Sequence, residues 1–112
     1  MQRNNKICKI IEEFLLYLMD NEYYDVNIDV KQTEEETILT FTTGVLSFDI
    51  KDYISEKVMS TPRQSEIEEY YWMLMGESSS ADDLDVIGSL VDTVQIENNG
   101  HSSIIRMVRY EN

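Results

Sequence analysis

Apolar residues recur at helical spacing near the start of the chain and again in its last third. The first stripe consists of Ile7, Ile10, Ile11, Phe14, Leu15 and Leu18. Intervals of three and four residues are typical of an amphipathic helix, so we predict a helix over about Arg3–Met19. The second stripe consists of Leu84, Ile87, Leu90 and Val91. Ser80 and Asp83 precede it in capping-box order and predict where that helix starts.

Strict alternation marks the strands. Val26, Ile28 and Val30 alternate with polar residues, which predicts a strand with one wet face. Residues 37–43 are rich in β-branched side chains and predict a second strand that pairs back across the acidic turn 33–36. Val94 and Ile96 also alternate with polar residues and predict the first strand of a second hairpin. Asn99-Gly100 supplies its turn, and residues 103–110 return.

Two further helices are expected between the strand pairs. Residues 51–59 predict a short helix. Thr61-Pro62 predicts the start of another, since proline is tolerated at the first helical position. The buried side of this second helix is predicted to consist of Ile67, Tyr70, Tyr71 and Leu74.

The order of elements predicts an α+β fold. Two hairpins can form one roughly four-stranded sheet with three or four helices on one face, a two-layer sandwich. Residues 1–112 are expected to form a single domain. On the last strand, Ile104, Arg106 and Val108 should alternate in direction with Ile105, Met107 and Arg109. One of these two faces should pack under the helix that carries Leu84, Ile87 and Val91.

Composition and charge narrow the classes of partner. The chain has 112 residues, 42% of them hydrophobic, and a formal net charge of −13. This charge disfavours nonspecific binding to nucleic acid or to an anionic membrane. Cys8 is the sole cysteine, so no internal disulfide can form, and this favours a reducing cytoplasm. We expect Cys8 to be buried as a small hydrophobic residue.

The last third of the chain resembles a known family. Residues 90–110 read LVDTVQIENNGHSSIIRMVRY, which is similar to the C-terminal part of the anti-sigma-factor serine kinases. That family belongs to the histidine-kinase-type ATPases with the Bergerat fold. The predicted order of elements also follows the family from its nucleotide-binding helix onward. The family's opening strand and first helix have no counterpart.

The resemblance implies three nucleotide-binding motifs, and all three are altered. Glu13 matches the family's helix glutamate and is a possible relict of catalysis, whereas Tyr17 stands where the family has a magnesium-binding asparagine. The aspartate expected two residues before Gly44 is replaced by Thr42. The glycines that open the final helix would fall at Ser80, Ala81 and Asp83, whose side chains fill the space that phosphates need. We therefore expect no cofactor and no catalysis.

Other constellations predict no chemistry. His101, the only histidine, lies in a predicted turn and has no cysteine to complete a metal site. The acidic runs 34–36 and 82–85 lack the spacing of a calcium loop. No metal site is expected.

One cluster suggests a binding surface. Trp72 and Met75 lie three residues apart on the helix after Pro62, next to Glu68 and outside its predicted core face. Tryptophan and methionine are favoured at interfaces, so a protein contact is expected here. Burial of Trp72 by the preceding loop is the alternative.

Three functional hypotheses follow. The preferred one is a non-enzymatic interaction module in bacterial signalling or transcription regulation. Its partner would be a protein, such as a sigma factor or an anti-sigma antagonist-like protein, or a second copy in a homodimer. The alternatives are an ATP-dependent anti-sigma serine kinase with a divergent site and an acidic decoy of a nucleic-acid-binding surface.

Overall fold

A computed structural model describes residues 3–61, 63 and 83–111 of the chain. Three helices and four strands lie within these residues. In chain order they are α1 (Arg3–Asp20), β1 (Asn27–Gln32), β2 (Glu36–Thr43), α2 (Phe48–Ser60), α3 (Asp83–Leu90), β3 (Thr93–Asn98) and β4 (Ser103–Tyr110). The helix predicted after Pro62 lies outside the described residues. The predicted start of the last helix, residues 80–82, lies outside them as well.

The strands form one antiparallel sheet in the order β1-β2-β4-β3. Each predicted hairpin forms, and the two join where β2 pairs with β4. Gly100 has a φ of 90° in the turn between β3 and β4, a conformation that glycine adopts without strain. The predicted two-layer α+β architecture is thus confirmed.

The core lies between one face of the sheet and the three helices. In β2 and β4, the two central strands, every second side chain is buried. The buried apolar residues of these strands are Leu39, Phe41, Ile105 and Met107, and they cluster with Phe14 of α1, Ile54 of α2 and Ile87 of α3. The predicted alternation along β4 is confirmed, and the structure shows that Ile105, Met107 and Arg109 form the face on the helix side.

Helix α2 begins three residues earlier than its pattern predicted. The side-chain oxygen of Ser47 accepts the N–H of Ile50 at 3.3 Å, and this N-cap satisfies a donor that the first helical turn leaves unpaired. The helix therefore starts at Phe48, and it buries Ile54 and Val58.

Two expectations about exposure were wrong. All six residues of β1 are exposed, including Ile28 at 37% and Val30 at 44%, because β1 is an edge strand whose main described neighbour is β2. Cys8 is also exposed. It lies beside the stripe of α1 that is buried, not on it.

Candidate functional site

Tyr17 occupies the position that the resemblance assigns to a magnesium-binding asparagine. Its half-buried ring stacks on Tyr53 of α2, with 6.4 Å between centroids and 22° between planes. It also stacks on Phe14, with a centroid separation of 6.3 Å. Phe14 in turn meets Phe41 of β2 edge-on at 4.7 Å. An aromatic row, defined by Phe41, Phe14, Tyr17 and Tyr53, therefore runs from the sheet through α1 to α2.

Glu13, the possible catalytic relict, lies one turn before Tyr17 on α1. Its Oε1 is 2.8 Å from Nζ of Lys9, and its side chain is 14% exposed. Oppositely charged residues four apart on a helix commonly stabilise that helix. Glu13 therefore takes part in an ion pair within α1.

Lys57 connects the outer end of the aromatic row to α3. Its Nζ lies 6.0 Å from the ring centroid of Tyr53, which is at the outer limit of a cation–π contact. The same Nζ is 3.4 Å from Oδ1 of Asp85. The side chains of α2 and α3 thus meet beside the aromatic row.

Gly88 allows α3 to approach the end of α2 closely. A Cβ atom at this position would lie 2.8 Å from Cβ of Thr61 and 2.9 Å from the carbonyl oxygen of Val58. Such separations are shorter than ordinary van der Waals contact, so only glycine fits without movement. This contact fixes the spacing of α2 and α3.

Thr42 and Thr43, at the end of β2, point to opposite sides of the sheet. Thr42 pairs with Asn27 and Ile104 and points to the sheet face opposite the helices. Its neighbour Thr43 points toward the helices and is buried, and its Oγ1 has no hydrogen-bond partner among the described residues. The structure therefore places the predicted position Thr42 on the opposite side of the sheet from Tyr17. Gly44 follows the strand, and a Cβ there would meet nothing within 4 Å.

The remaining predicted site residues are only partly covered by the structure. Asp83 is the first residue of α3. Ala81 lies outside the described residues, as do the predicted partner-binding residues Glu68, Trp72 and Met75.

A depression lies on the sheet face opposite the helices and has a volume of about 550 Å³. Residues of β2, β3 and β4 line it, among them Thr40, Thr42, Gln95, Glu97, Ile104 and Arg106. Ile104 is half-buried and Arg106 is exposed. The lining therefore combines apolar, neutral polar and charged side chains.

A buried ionic cluster at the other end of the sheet was missed by the sequence reasoning. Arg109 is 4% exposed and donates from Nη1 to the carbonyl oxygen of Leu90 at 2.8 Å and from Nε to Oε1 of Glu111 at 3.1 Å. Oε2 of Glu111 accepts the hydroxyl of Thr37 at 2.7 Å and lies 3.1 Å from Nε of Arg3.

This cluster connects α1, β2, β4 and the end of α3. The position of Arg109, two residues beyond Met107 on the buried face, was the sequence signal for its burial. The signal for its partners was absent, because Arg3 and Thr37 are distant in the chain. The positive charges of Arg3 and Arg109 are balanced by the carboxylate of Glu111, and hydrogen bonds connect these groups. The cluster therefore holds α1, β2 and β4 together.

Among the described residues, no group of histidine, cysteine and acidic side chains has the arrangement of a metal site. His101 is exposed in the turn between β3 and β4, as expected. The described helices include none that is long and apolar enough to span a membrane.

Comparisons with protein-family models, with characterised proteins and with solved structures found no significant match to this chain.

Proposed function

We propose that this chain is a non-enzymatic protein-interaction module, built on an ATPase-like fold that has lost its nucleotide site. It would act in the cytoplasm, in bacterial signalling or transcription regulation. Its partner would be a protein of the class that the resemblance suggests, a sigma factor or an anti-sigma antagonist-like protein.

The observation that carries this proposal is the stacking of Tyr17 on Tyr53. The resemblance requires an amide oxygen at position 17 to hold magnesium, because this ion prefers oxygen ligands in a near-octahedral arrangement. The phenol ring instead packs between α1 and α2, 6.4 Å from the ring of Tyr53. An aromatic contact of this kind stabilises the packing of two helices and supplies no ligand of the required geometry.

The charges near the aromatic row also support the proposal. Lys9 is paired with Glu13 at 2.8 Å, and Lys57 contacts both Tyr53 and Asp85. These cations, which could otherwise contact phosphate groups, are engaged with other side chains. The net charge of −13 adds a general repulsion toward a polyphosphate.

The sheet face opposite the helices is the surface we assign to the partner. Within the described residues, the three helices all lie on the other face. Half-buried Ile38, Ile104 and Val108 come from the two central strands, with the exposed Arg106 between Ile104 and Val108 along β4. Apolar side chains surrounded by polar ones are typical of a protein interface.

Two measurements on the intact chain test the proposal. Calorimetric titration with Mg-ATP should give no saturable heat, and a dissociation constant below about 1 mM would refute loss of the nucleotide site. The second measurement begins with affinity capture of a partner from the source cell. The purified partner is then titrated with the wild-type chain and with variants of the sheet face opposite the helices. Ile104→Asp should weaken binding by about tenfold or more.

The control is Met59→Asp on α2, at an apolar residue that is 56% exposed. It makes the same change of charge at a distance from the sheet face and should bind like the wild type. Circular dichroism would establish that both variants are folded. Equal effects of the two variants would show that the sheet face is not the binding surface.

A further inference from the structure

The outer edge of β1 is exposed along its full length. β1 is the first strand in the sheet order, and each of its six residues is exposed. Exposed strand edges readily pair with other chains, and proteins protect them with short strands, with lysine and other charged side chains, with proline or with bulges. β1 carries two charged residues of opposite sign, Asp29 and Lys31, on the side away from the helices. The sequence of β1, NIDVKQ, has no proline, and the residues on its helix-facing side are Ile28, Val30 and Gln32.

The hydrogen bonds of the neighbouring turn show which peptide groups of β1 face outward. The N–H of Thr33 donates to the carbonyl oxygen of Glu36 at 2.8 Å, so these two residues form a hydrogen-bonded pair. Hydrogen-bonded and non-hydrogen-bonded pairs alternate along an antiparallel ladder. From the register of β1 and β2, Asp29 and Lys31 therefore bond to β2.

It follows that the peptide groups of Ile28, Val30 and Gln32 point away from β2. The same phase is indicated on the other side of β2, where the N–H of Glu111 donates to the carbonyl oxygen of Glu35 at 2.8 Å. Neighbouring residues of β2 must bond to opposite strands. Three consecutive outward-facing sites on β1 are thus arranged to accept another strand.

The side chains of β1 are self-complementary in one register. We propose that β1 pairs antiparallel with β1 of a second copy, with Val30 opposite Val30, to form one continuous sheet. The outward peptide groups of Ile28 then pair with those of Gln32 in the second copy. On the opposite face, Asp29 lies across from Lys31, and the two-fold symmetry creates this oppositely charged pair twice.

The neighbouring registers are disfavoured by charge. A shift of two residues in one direction places Asp29 opposite Asp29, and a shift in the other direction places Lys31 opposite Lys31. Like charges directly opposite each other destabilise a sheet, and either shift also pairs fewer outward peptide groups. A shift of one residue would bring side chains from opposite faces together. Only the register centred on Val30 avoids all three defects.

The two-fold axis also brings exposed apolar surface together. Asn4 marks the side of α1 that faces β1, because its Oδ1 accepts a hydrogen bond from Nε2 of Gln32 at 3.3 Å. Ile28 and Val30, exposed at 37% and 44%, lie on this same side of the sheet. Pairing of the two edges would place these side chains next to their counterparts and reduce their exposure. This inference does not rest on the proposed function, since it uses neither the aromatic row nor Ile104. Asp29 and Lys31 lie at the β1 margin of the same sheet face as Ile104.

Charge reversal tests the register directly by sedimentation equilibrium of the full chain. Asp29→Lys and Lys31→Asp each replace both attractive pairs by repulsive ones, so each should weaken self-association by about tenfold or more. The double variant Asp29→Lys/Lys31→Asp restores both pairs in reversed order. It should return the association constant to within about threefold of the wild type.

Net charge is controlled within the same set. Asp29→Lys lowers the negative charge of each subunit and would strengthen an unspecific association, whereas the proposed pairing predicts weakening. Lys51→Asp on α2 makes the same change of charge as Lys31→Asp, at a distance from β1, and should leave the association unchanged. Wild-type association should also increase when salt is raised from about 20 to 150 mM, because two subunits of charge −13 repel each other less when screened.

A proline substitution distinguishes loss of strand pairing between copies from loss of folding. Val30→Pro removes an outward N–H that does not bond to β2, and proline is tolerated at such edge positions. This variant should remain folded by circular dichroism and should lose self-association. In the wild type, exchange of the amide hydrogens of Ile28, Val30 and Gln32 should slow as protein concentration rises, whereas exchange at Asp29 and Lys31 should not depend on concentration.

Three results would overturn the proposal. The first is a wild-type chain that stays monomeric up to about 1 mM at 150 mM salt, which would leave the edge to another partner or to none. The second is self-association that the single charge reversals do not weaken. The third is a double reversal that is as weak as the single ones.

Discussion

The carboxylate of Glu111 is the centre of the buried ionic cluster and the most informative group to change. It is 7% exposed and contacts the guanidinium groups of both Arg3 and Arg109 at 3.1 Å, and it accepts the hydroxyl of Thr37 at 2.7 Å. Glu111→Gln keeps the shape and one acceptor oxygen but removes the negative charge. Arg109, 4% exposed, is then left with the carbonyl of Leu90 and a neutral amide.

The expected loss of stability follows from that burial. Removing one partner of a buried ion pair costs about 3–5 kcal/mol, because an uncompensated charge remains in a poorly solvated site. The side chain of Arg3 is 33% exposed and can be solvated, so we expect the lower end, about 3 kcal/mol. The unfolding entropy of a globular chain is about 2.1 cal/mol/K per residue, so for 112 residues the melting temperature should fall by about 13 °C.

Thermal and urea denaturation followed by circular dichroism would measure this change. The matched control is Glu34→Gln, which makes the same change of charge in the exposed turn between β1 and β2. It should alter stability by no more than about 0.5 kcal/mol. If Glu111→Gln is as stable as this control, the cluster does not depend on its carboxylate and the argument from burial is wrong.

Replacing both charges tests the same reasoning from the opposite side. The double variant Arg109→Met/Glu111→Gln removes the buried cation together with its partner. Apolar replacements of buried ion pairs are often neutral or stabilising, so the double variant should recover most of the loss. A double variant less stable than Glu111→Gln alone would show that Arg109 contributes through its own bond to Leu90.

Two glycine substitutions have expected outcomes that differ in cause. Gly88→Ala should destabilise the chain by about 1–2 kcal/mol in urea denaturation, because overpacking against Thr61 and Val58 exceeds a helix-propensity gain of about 1 kcal/mol. Gly100→Ala should also cost about 1–2 kcal/mol, because alanine is strained at a φ of 90°. Gly44→Ala is the control for both: a Cβ there meets nothing within 4 Å, so its effect should stay within about 0.5 kcal/mol. An unchanged Gly88→Ala variant would show that α2 moves to accommodate the methyl group, and an unchanged Gly100→Ala variant that the turn adopts another conformation.

Local periodicity was enough to predict most of the fold. The stripe from Ile7 to Leu18 predicted α1 to within one residue. A stretch rich in β-branched residues predicted β2, and the Asn99-Gly100 turn predicted β4 as an alternating return strand. These features depend on neighbours within a few positions along the chain, where helix and strand geometry repeats. The Asn99-Gly100 turn was predictable for the same reason, since its conformation depends on residue type.

Exposure at the margins of the fold was not predictable from the same patterns. Ile28 and Val30 alternate as a half-buried strand would, yet β1 lies at the edge of the sheet and both residues are exposed. Cys8 is a residue type that is usually buried, yet it lies beside the buried stripe of α1. In both cases the pattern shows which residues share a side, whereas burial depends on what another element places against that side.

The chain's own sequence thus determined the elements, their order and the alternation of the central strands, because these follow from contacts between near neighbours. Only the tertiary structure decided that Tyr17 meets Tyr53, that Thr42 faces away from α1, and that Arg3 reaches Glu111 across the whole chain. The contact of Tyr17 with Tyr53 joins residues 36 positions apart, and that of Arg3 with Glu111 joins residues 108 positions apart. No local pattern encodes such a pairing. These contacts form because the sheet and the helices, once packed, bring those side chains to the same place.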